Sequence, residues 1–196
     1  KGAVTFYLYD KMNRLVRVTD ALGRSSSTEY DANGKVIKTT AANGATEQNV
    51  YDEVGNVTQT KDETGTAKTY AYDALNRKIS TTNELGQVTS YSYDAASNLV
   101  SQTRPDTSVV GYTYDARNLL LSIDYQGTAE DIAYTYDELG RKVTEKKGTE
   151  PTVNYSYDSL NRVISRGAAN NLVGYAYDSV GNLLSLTYPS GRVVTY

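Results

Sequence analysis

The sequence predicts an all-β fold in which tandem β-hairpins form one long, curling antiparallel sheet, a spiral shell or strip. Three observations carry this. A Tyr-Asp pair recurs nine times, at Tyr9-Asp10, Tyr30-Asp31, Tyr51-Asp52, Tyr72-Asp73, Tyr93-Asp94, Tyr114-Asp115, Tyr136-Asp137, Tyr157-Asp158 and Tyr177-Asp178, with spacings of 21, 21, 21, 21, 21, 22, 21 and 20 residues. Four residues after each tyrosine stand Asn13, Gly34, Gly55, Asn76, Ser97, Asn118, Gly140, Asn161 and Gly181. Eight of these nine are types that tolerate a left-handed backbone. Tyrosine also stands two residues before the pair in seven repeats, as Tyr7, Tyr70, Tyr91, Tyr112, Tyr134, Tyr155 and Tyr175, a period of two that belongs to a strand. A unit this short, repeated end to end, is stable only when stacked on copies of itself.

Counting from the tyrosine of each pair as position 0, the first strand ends in Tyr-x-Tyr, with both rings on one face and a mostly small or polar residue between them. The aspartate at +1 and Gly or Asn at +4 are the chemistry of a type I turn closed by a left-handed bulge residue, in which the carboxylate accepts backbone N–H groups. The second strand follows, with Val16, Ile37, Thr58, Ile79, Val100, Leu121, Val143, Ile164 and Leu184 at +7. A three-residue loop over +2 to +4 places the tyrosine opposite +6, where Leu15, Val36, Val57, Leu99, Leu120, Val163 and Leu183 stand, with Lys78 and Lys142 as departures. Position +7 is then expected on the other face, beside the residue at −1. A second turn returns the chain at Leu22-Gly23, Asn43-Gly44, Thr64-Gly65, Leu85-Gly86 and Ser190-Gly191. It drifts in the central copies, where Thr107 replaces the glycine, Gly127 and Gly148 come early, and Asn170-Asn171 serves near the end.

No linker interrupts the array, so residues 1–196 are expected to be one elongated domain of about nine repeats, and Tyr196 stands where the first tyrosine of a tenth Tyr-x-Tyr-Asp unit would fall. Nine hairpins supply about eighteen strands, more than an open twisted sheet carries without curling. The first and last strands leave edges open to edge-to-edge pairing with another copy.

Composition excludes several functions. Cysteine and histidine are absent, which removes disulfides, thiolate catalysis, Cys-ligated metals and the commonest general base. A net charge of −3 with no basic run leaves no footprint for nucleic acid, and no apolar stretch reaches the length of a membrane span. The sequons Asn56-Val57-Thr58 and Asn154-Tyr155-Ser156 are accidental products of an Asn- and Thr-rich repeat.

The motif Tyr-Asp-x-x-Gly/Asn-Arg/Asn-Leu/Val resembles the YD or RHS (rearrangement hotspot) repeat. The best copies are Tyr136-Asp137-Glu138-Leu139-Gly140-Arg141, Tyr157-Asp158-Ser159-Leu160-Asn161-Arg162 and Tyr177-Asp178-Ser179-Val180-Gly181-Asn182-Leu183. The resemblance covers the whole chain. It implies a β-strip that spirals into a hollow shell, as in bacterial polymorphic toxins, the C components of insecticidal toxin complexes and the teneurins. The Asp-Pro-x-Gly-Leu core signature of the self-cleaving members does not occur here, since Arg104-Pro105-Asp106 has the opposite order, so autoproteolysis and toxicity do not carry over.

Chemistry borne by a repeated position would occur nine times over, so the nine tyrosines and aspartates and the eight Gly and Asn turn residues are expected to be structural. No catalytic, cofactor or metal residue is assigned, and the chain is read as non-enzymatic. A calcium ladder of the aspartates is the weaker reading, because each turn supplies one reliable carboxylate. Two functions remain. One is the wall of a shell enclosing a toxin or effector polypeptide in a secreted or cell-surface bacterial protein. Hydroxyls at +8 (Ser80, Ser101, Ser122, Ser165, Ser185) would hold unfolded cargo without sticking to it. The other is an extracellular adhesion or carbohydrate-binding module whose partner is a cell-surface glycan or protein.

Overall fold

A computed structural model describes residues 4–196. These residues contain no helix and form 19 antiparallel strands of one open sheet. The chain divides into two compact units, Lys1–Tyr91 and Ser92–Tyr196. The first holds β1 (Phe6–Tyr9), β2 (Leu15–Thr19), β3 (Ser25–Tyr30), β4 (Val36–Thr40), β5 (Thr46–Tyr51), β6 (Val57–Asp62), β7 (Ala67–Tyr72), β8 (Lys78–Thr82) and most of β9 (Val88–Tyr93). The second holds β10 (Leu99–Thr103), β11 (Val109–Tyr114), β12 (Leu120–Tyr125), β13 (Ile132–Tyr136), β14 (Lys142–Lys147), β15 (Val153–Tyr157), β16 (Val163–Ala168), β17 (Asn171–Tyr177), β18 (Leu183–Thr187) and β19 (Val193–Thr195). Inside each unit the strands run as a meander, each pairing with its neighbours in sequence. Eighteen strands are the expected nine hairpins, and β19 opens a tenth.

The Tyr-Asp turn forms as its residue types dictate. In the first repeat the Asp10 amide donates to the Arg14 carbonyl at 2.9 Å and the Asn13 amide to the Asp10 carbonyl at 3.0 Å. The same pair of bonds recurs in all nine copies. All nine residues at +4 have positive φ, from 59° at Asn76 to 105° at Gly55. Ser97, the one residue of unfavoured type, takes 68° like the rest.

The tyrosine pairs with +6 as expected, for example Tyr9 with Leu15 and Tyr136 with Lys142. The expected partner of −1 is corrected. A bulge between −1 and 0 recurs at Leu8/Tyr9, Glu29/Tyr30, Val50/Tyr51, Ala71/Tyr72, Thr113/Tyr114, Thr135/Tyr136, Ser156/Tyr157 and Ala176/Tyr177. Position +7 is the extra residue, and −1 lies opposite +8, as in Thr113 with Ser122. An inserted residue bends its strand and raises the local twist.

The return turns reuse the same chemistry. The Gly23 amide donates to the Asp20 carbonyl and the Asp20 carboxylate accepts the Leu22 and Arg24 amides, a copy of the Tyr-Asp turn without its tyrosine. Thr107 holds the left-handed position of the fifth return turn at φ 69°. A β-branched residue is strained there. Thr107→Gly is expected to stabilise the chain by about 1 kcal/mol, the relief of left-handed strain less the added freedom of glycine when unfolded. Urea denaturation of the chain and its variant reads the difference.

A sheet with no second layer buries little. Val110, 1% exposed, is the one buried hydrophobic among the described residues. The accessible surface is 12984 Å² for 21.5 kDa, against about 9200 Å² for a globular monomer of that mass.

Candidate functional site: the tyrosine–aspartate clasp and the two faces around it

Eight of the nine aspartates are used on both oxygens, while Asp31, followed at +5 by Lys35, accepts the Asn33 and Lys35 amides on Oδ1. In the eighth repeat Asp158 Oδ1 accepts the Leu160 and Arg162 amides, and Oδ2 accepts Arg162 Nε at 2.7 Å. Where +5 is asparagine the side-chain amide takes the same place, as Asn56 Nδ2 to Asp52 Oδ2 at 2.9 Å. Carboxylates committed in this way to backbone and side-chain donors do not make a cation ladder. Both sequon asparagines are engaged too: Asn56 also donates to Asn76 Oδ1 and Asn154 to the Thr152 carbonyl.

The tyrosine reaches backward to the preceding hairpin. Tyr30, Tyr51, Tyr72, Tyr114, Tyr136, Tyr157 and Tyr177 donate their hydroxyls to the carbonyls of Leu15, Val36, Val57, Leu99, Leu120, Lys142 and Val163, at 2.7 to 3.0 Å. Each acceptor is the +6 residue one repeat earlier. The arginine at +5 reaches forward to the next hairpin. Arg14, Arg141 and Arg162 stack over Tyr30, Tyr157 and Tyr177 at 4.6 to 4.8 Å from the ring centroids. They donate onward to the carbonyls of Asp31, Asp158 and Asp178. In these repeats ring, guanidinium and carboxylate form one clasp that ties a hairpin to the next.

In one repeat the arginine of the clasp comes from a different position. Its +5 residue is Leu119, which cannot pair with Asp115. Arg117 at +3 substitutes: its Nε donates to Asp115 Oδ2 at 3.0 Å, and its terminal nitrogen to the carbonyls of Asp137 at 2.8 Å and Glu138 at 3.2 Å. Arg117→Ala is expected to cost about 1 kcal/mol through the lost hydrogen bonds. Adding Leu119→Arg should recover it by restoring the ordinary clasp. Thermal melting of the single and double variants checks both.

Protonation of the clasp sets an acid limit. Asp10, Asp73 and Asp158 are held below the ordinary 3.8, first by the backbone N–H of the arginine four residues on, against an opposing desolvation, and then by its guanidinium. In Asp52 and Asp178 the asparagine side chain is the leading cause. Because these folded-state values lie below the unfolded one, the contribution is complete above pH 3.8 and is lost as pH falls through the lower folded values. Stability should be flat from pH 7 to about 5 and fall steeply below 3.8, as read by denaturation midpoints across pH.

The clasp tiles one face of the sheet. The −2 tyrosines lie on it as well and reach the +9 side chain one repeat earlier: Tyr70 to Thr60, Tyr112 to Gln102 and Tyr155 to Glu145. On the opposite face −1 meets +8. In three repeats the pair is two hydroxyls, Thr113 with Ser122 and Thr135 with Thr144, each at 2.7 Å, and Ser156 with Ser165. The first three repeats instead pair Leu8 with Arg17, Glu29 with Lys38 and Val50 with Gln59. The −1 residues are exposed in every repeat. A third surface runs along the tips of the Tyr-Asp turns, where Met12, Val54, Leu75, Leu139, Leu160 and Val180 at +3 are 63–81% exposed.

The motif, the hairpin and the clasp are those of a shell-forming repeat, and a model of the teneurin YD-shell family matches residues 3–150. The chain belongs to the teneurin YD-shell family. No curated protein sequence is significantly similar to it. Among solved structures, the crystal structure of TcdB2-TccC3-Cdc42 matches 94% of this YD-shell chain with 12% of its own, at 16% identity and a TM-score of 0.56. That of TcdB2-TccC3 without the hypervariable C-terminal region matches 94% of the chain with 12% of its own, at 17% identity and a TM-score of 0.56. The Photorhabdus luminescens Tc holotoxin pore matches 94% of the chain with 14% of its own, at 16% identity and a TM-score of 0.50. At these identities the likeness shows a shared fold, and the YD-shell chain spans about an eighth of the length of the first structures it matches.

Proposed function

We propose that this YD-shell chain is one stretch of the wall of a hollow β-shell in a secreted or cell-surface bacterial protein, and that the shell encloses a toxin or effector polypeptide. The near absence of a core carries the reading. A sheet with one fully buried hydrophobic residue and a row of exposed aliphatic turn tips is built to be completed by more sheet, rim against rim. The exposed hydroxyls at −1 (Ser92, Thr113, Thr135 and Ser156), beside half-buried Ser and Thr at +8, suit a surface that meets an unfolded partner without strong adhesion. The array acts as one domain of that wall and does no catalysis, since its repeated carboxylates and hydroxyls are committed to the clasp. The same commitment weighs against a glycan-binding module, because seven of the nine tyrosine hydroxyls that would face a sugar are donated to backbone carbonyls.

Limited proteolysis of the natural protein that carries this stretch tests the proposal. A non-repeat segment should resist protease in the native protein and become cleavable when the wall is opened by acid. Cleavage of every non-repeat segment in the native state would overturn enclosure.

A further inference from the structure

In a repeat array the informative residues are those that break the repeat. Threonine stands at +9 on the tyrosine face in three consecutive repeats, as Thr39, Thr60 and Thr81. Thr60 and Thr81 are half-buried, and the Thr81 hydroxyl oxygen is buried completely. Thr39 is exposed. The difference follows from the −2 residue of the next repeat, which is Tyr70 after Thr60 and Tyr91 after Thr81, but Asn49 after Thr39. Tyr70 leans back to Thr60, with 3.4 Å between the hydroxyls. Asn49 turns the other way, and its Nδ2 donates to the Val36 carbonyl at 3.3 Å, at the far end of β4. The place of the ring over Thr39 stays open.

A hollow of about 410 Å³ begins there, lined by Thr39, Ala45, Thr46, Glu47, Thr60 and Lys68 among others. Its volume falls within the range of built ligand sites. Glu47 stands opposite Thr39 in the β4–β5 register, on the same face. The charges around the hollow are largely accounted for. Lys68 pairs with Glu84 at 3.0 Å, the Asp62 carboxylate accepts the Thr64 and Thr66 amides, and Lys61 and Glu63 are of opposite sign. The Glu47 carboxylate is left as an acceptor beside Thr39. The array already uses that chemistry once, where the Tyr155 hydroxyl donates to the +9 carboxylate of Glu145 at 3.1 Å.

We infer that this hollow receives a tyrosyl side chain from a polypeptide outside the array. Its ring takes the place left open by Asn49, and its hydroxyl donates to Glu47. The seven −2 tyrosines are the template for the fit: the same ring, on the same face, leaning the same way. A phenol suits the site because it covers the Thr39 surface with its ring and meets an acceptor at its tip. Thr28, the other exception at −2, makes no such site, since the +9 residue before it is Val18, which offers no hydrogen-bonding side chain. The inference goes beyond the wall reading, because it concerns the tyrosine face and not the hydroxyl face.

The test titrates the 196-residue chain with the capped peptide Ser-Ser-Tyr-Ser-Ser and follows the Thr39 and Glu47 amides by NMR. Binding of Ser-Ser-Phe-Ser-Ser should be about fivefold weaker, the worth of one hydrogen bond. Glu47→Ala should weaken the tyrosine peptide by the same factor and leave the phenylalanine peptide unchanged. Asn49→Tyr and Asn49→Phe should each abolish binding, because the chain then fills the place itself, whereas Asn49→Ala keeps it open and should retain binding. Binding that persists in both filled variants, equal binding of the phenylalanine peptide, tighter binding of Ser-Ser-Lys-Ser-Ser, or no binding of the tyrosine peptide would each overturn the inference. None of these results touches enclosure, which the proteolysis experiment decides separately.

Discussion

Gly167→Ala is expected to cost about 3 kcal/mol or more. Gly167 lies in β16 at φ 147° and pairs with Leu172, one step from the tight return where Ala168 faces Asn171. An added Cβ would overlap the Asn171 carbonyl oxygen and stand 3.1 Å from Leu172 Cα. These are backbone atoms of the paired strand, so relief requires β16 and β17 to separate. Gly23→Ala is the control: its φ of 79° borders the left-handed region that an L residue can enter, its added Cβ meets nothing within 4 Å, and it should cost about 1–2 kcal/mol. Urea denaturation of both variants checks the difference. A Gly167→Ala loss no larger than that of Gly23→Ala would show that the two strands are not held so close.

Tyr157→Ala is expected to cost about 2–3 kcal/mol, and Tyr157→Phe about 1. The half-buried ring carries the Arg141 guanidinium at 4.7 Å, and its hydroxyl donates to the Lys142 carbonyl at 2.8 Å. Alanine removes the clasp between β14 and β15, whereas phenylalanine removes the hydroxyl alone. Interfaces between neighbouring repeats sum along an array, so the damage should stay local. Amide exchange should accelerate at β14 to β16 and remain unchanged at β3 to β6. Acceleration along the whole chain would mean that the repeats do not act as semi-independent neighbours.

What was legible in the sequence was what local chemistry dictates. The left-handed turn residue, the aspartate that starts the turn and the pairing of Tyr9 with Leu15 each follow from residues within a few positions of one another. The bulge was not legible, because the extra residue at +7 is the same β-branched or leucine type that a regular strand would carry there. The clasp was half legible. Arg or Asn at +5 belonged to the motif, but its reach to the next hairpin spans 16 to 20 residues and shows only once the hairpins are side by side. The exchange of Leu119 for Arg117 left a trace, an arginine arriving two residues early just where the usual one is lost. The kinship of the return turns with the Tyr-Asp turns could have been read from Asp20, Gly23 and Arg24, which repeat the spacing of Asp10, Asn13 and Arg14.

One 21-residue hairpin, clasped to its neighbours, is the unit from which the array is built. Deleting residues 137–157 joins Tyr136 to Asp158 and removes one whole unit with the Tyr-Asp junction restored. The shortened chain should keep its β-sheet circular dichroism per residue and melt cooperatively within a few degrees of the parent chain, whereas a ten-residue deletion within the same span should unfold the surrounding hairpins. Loss of folding in the whole-unit deletion, or equal tolerance of both, would contradict the claim.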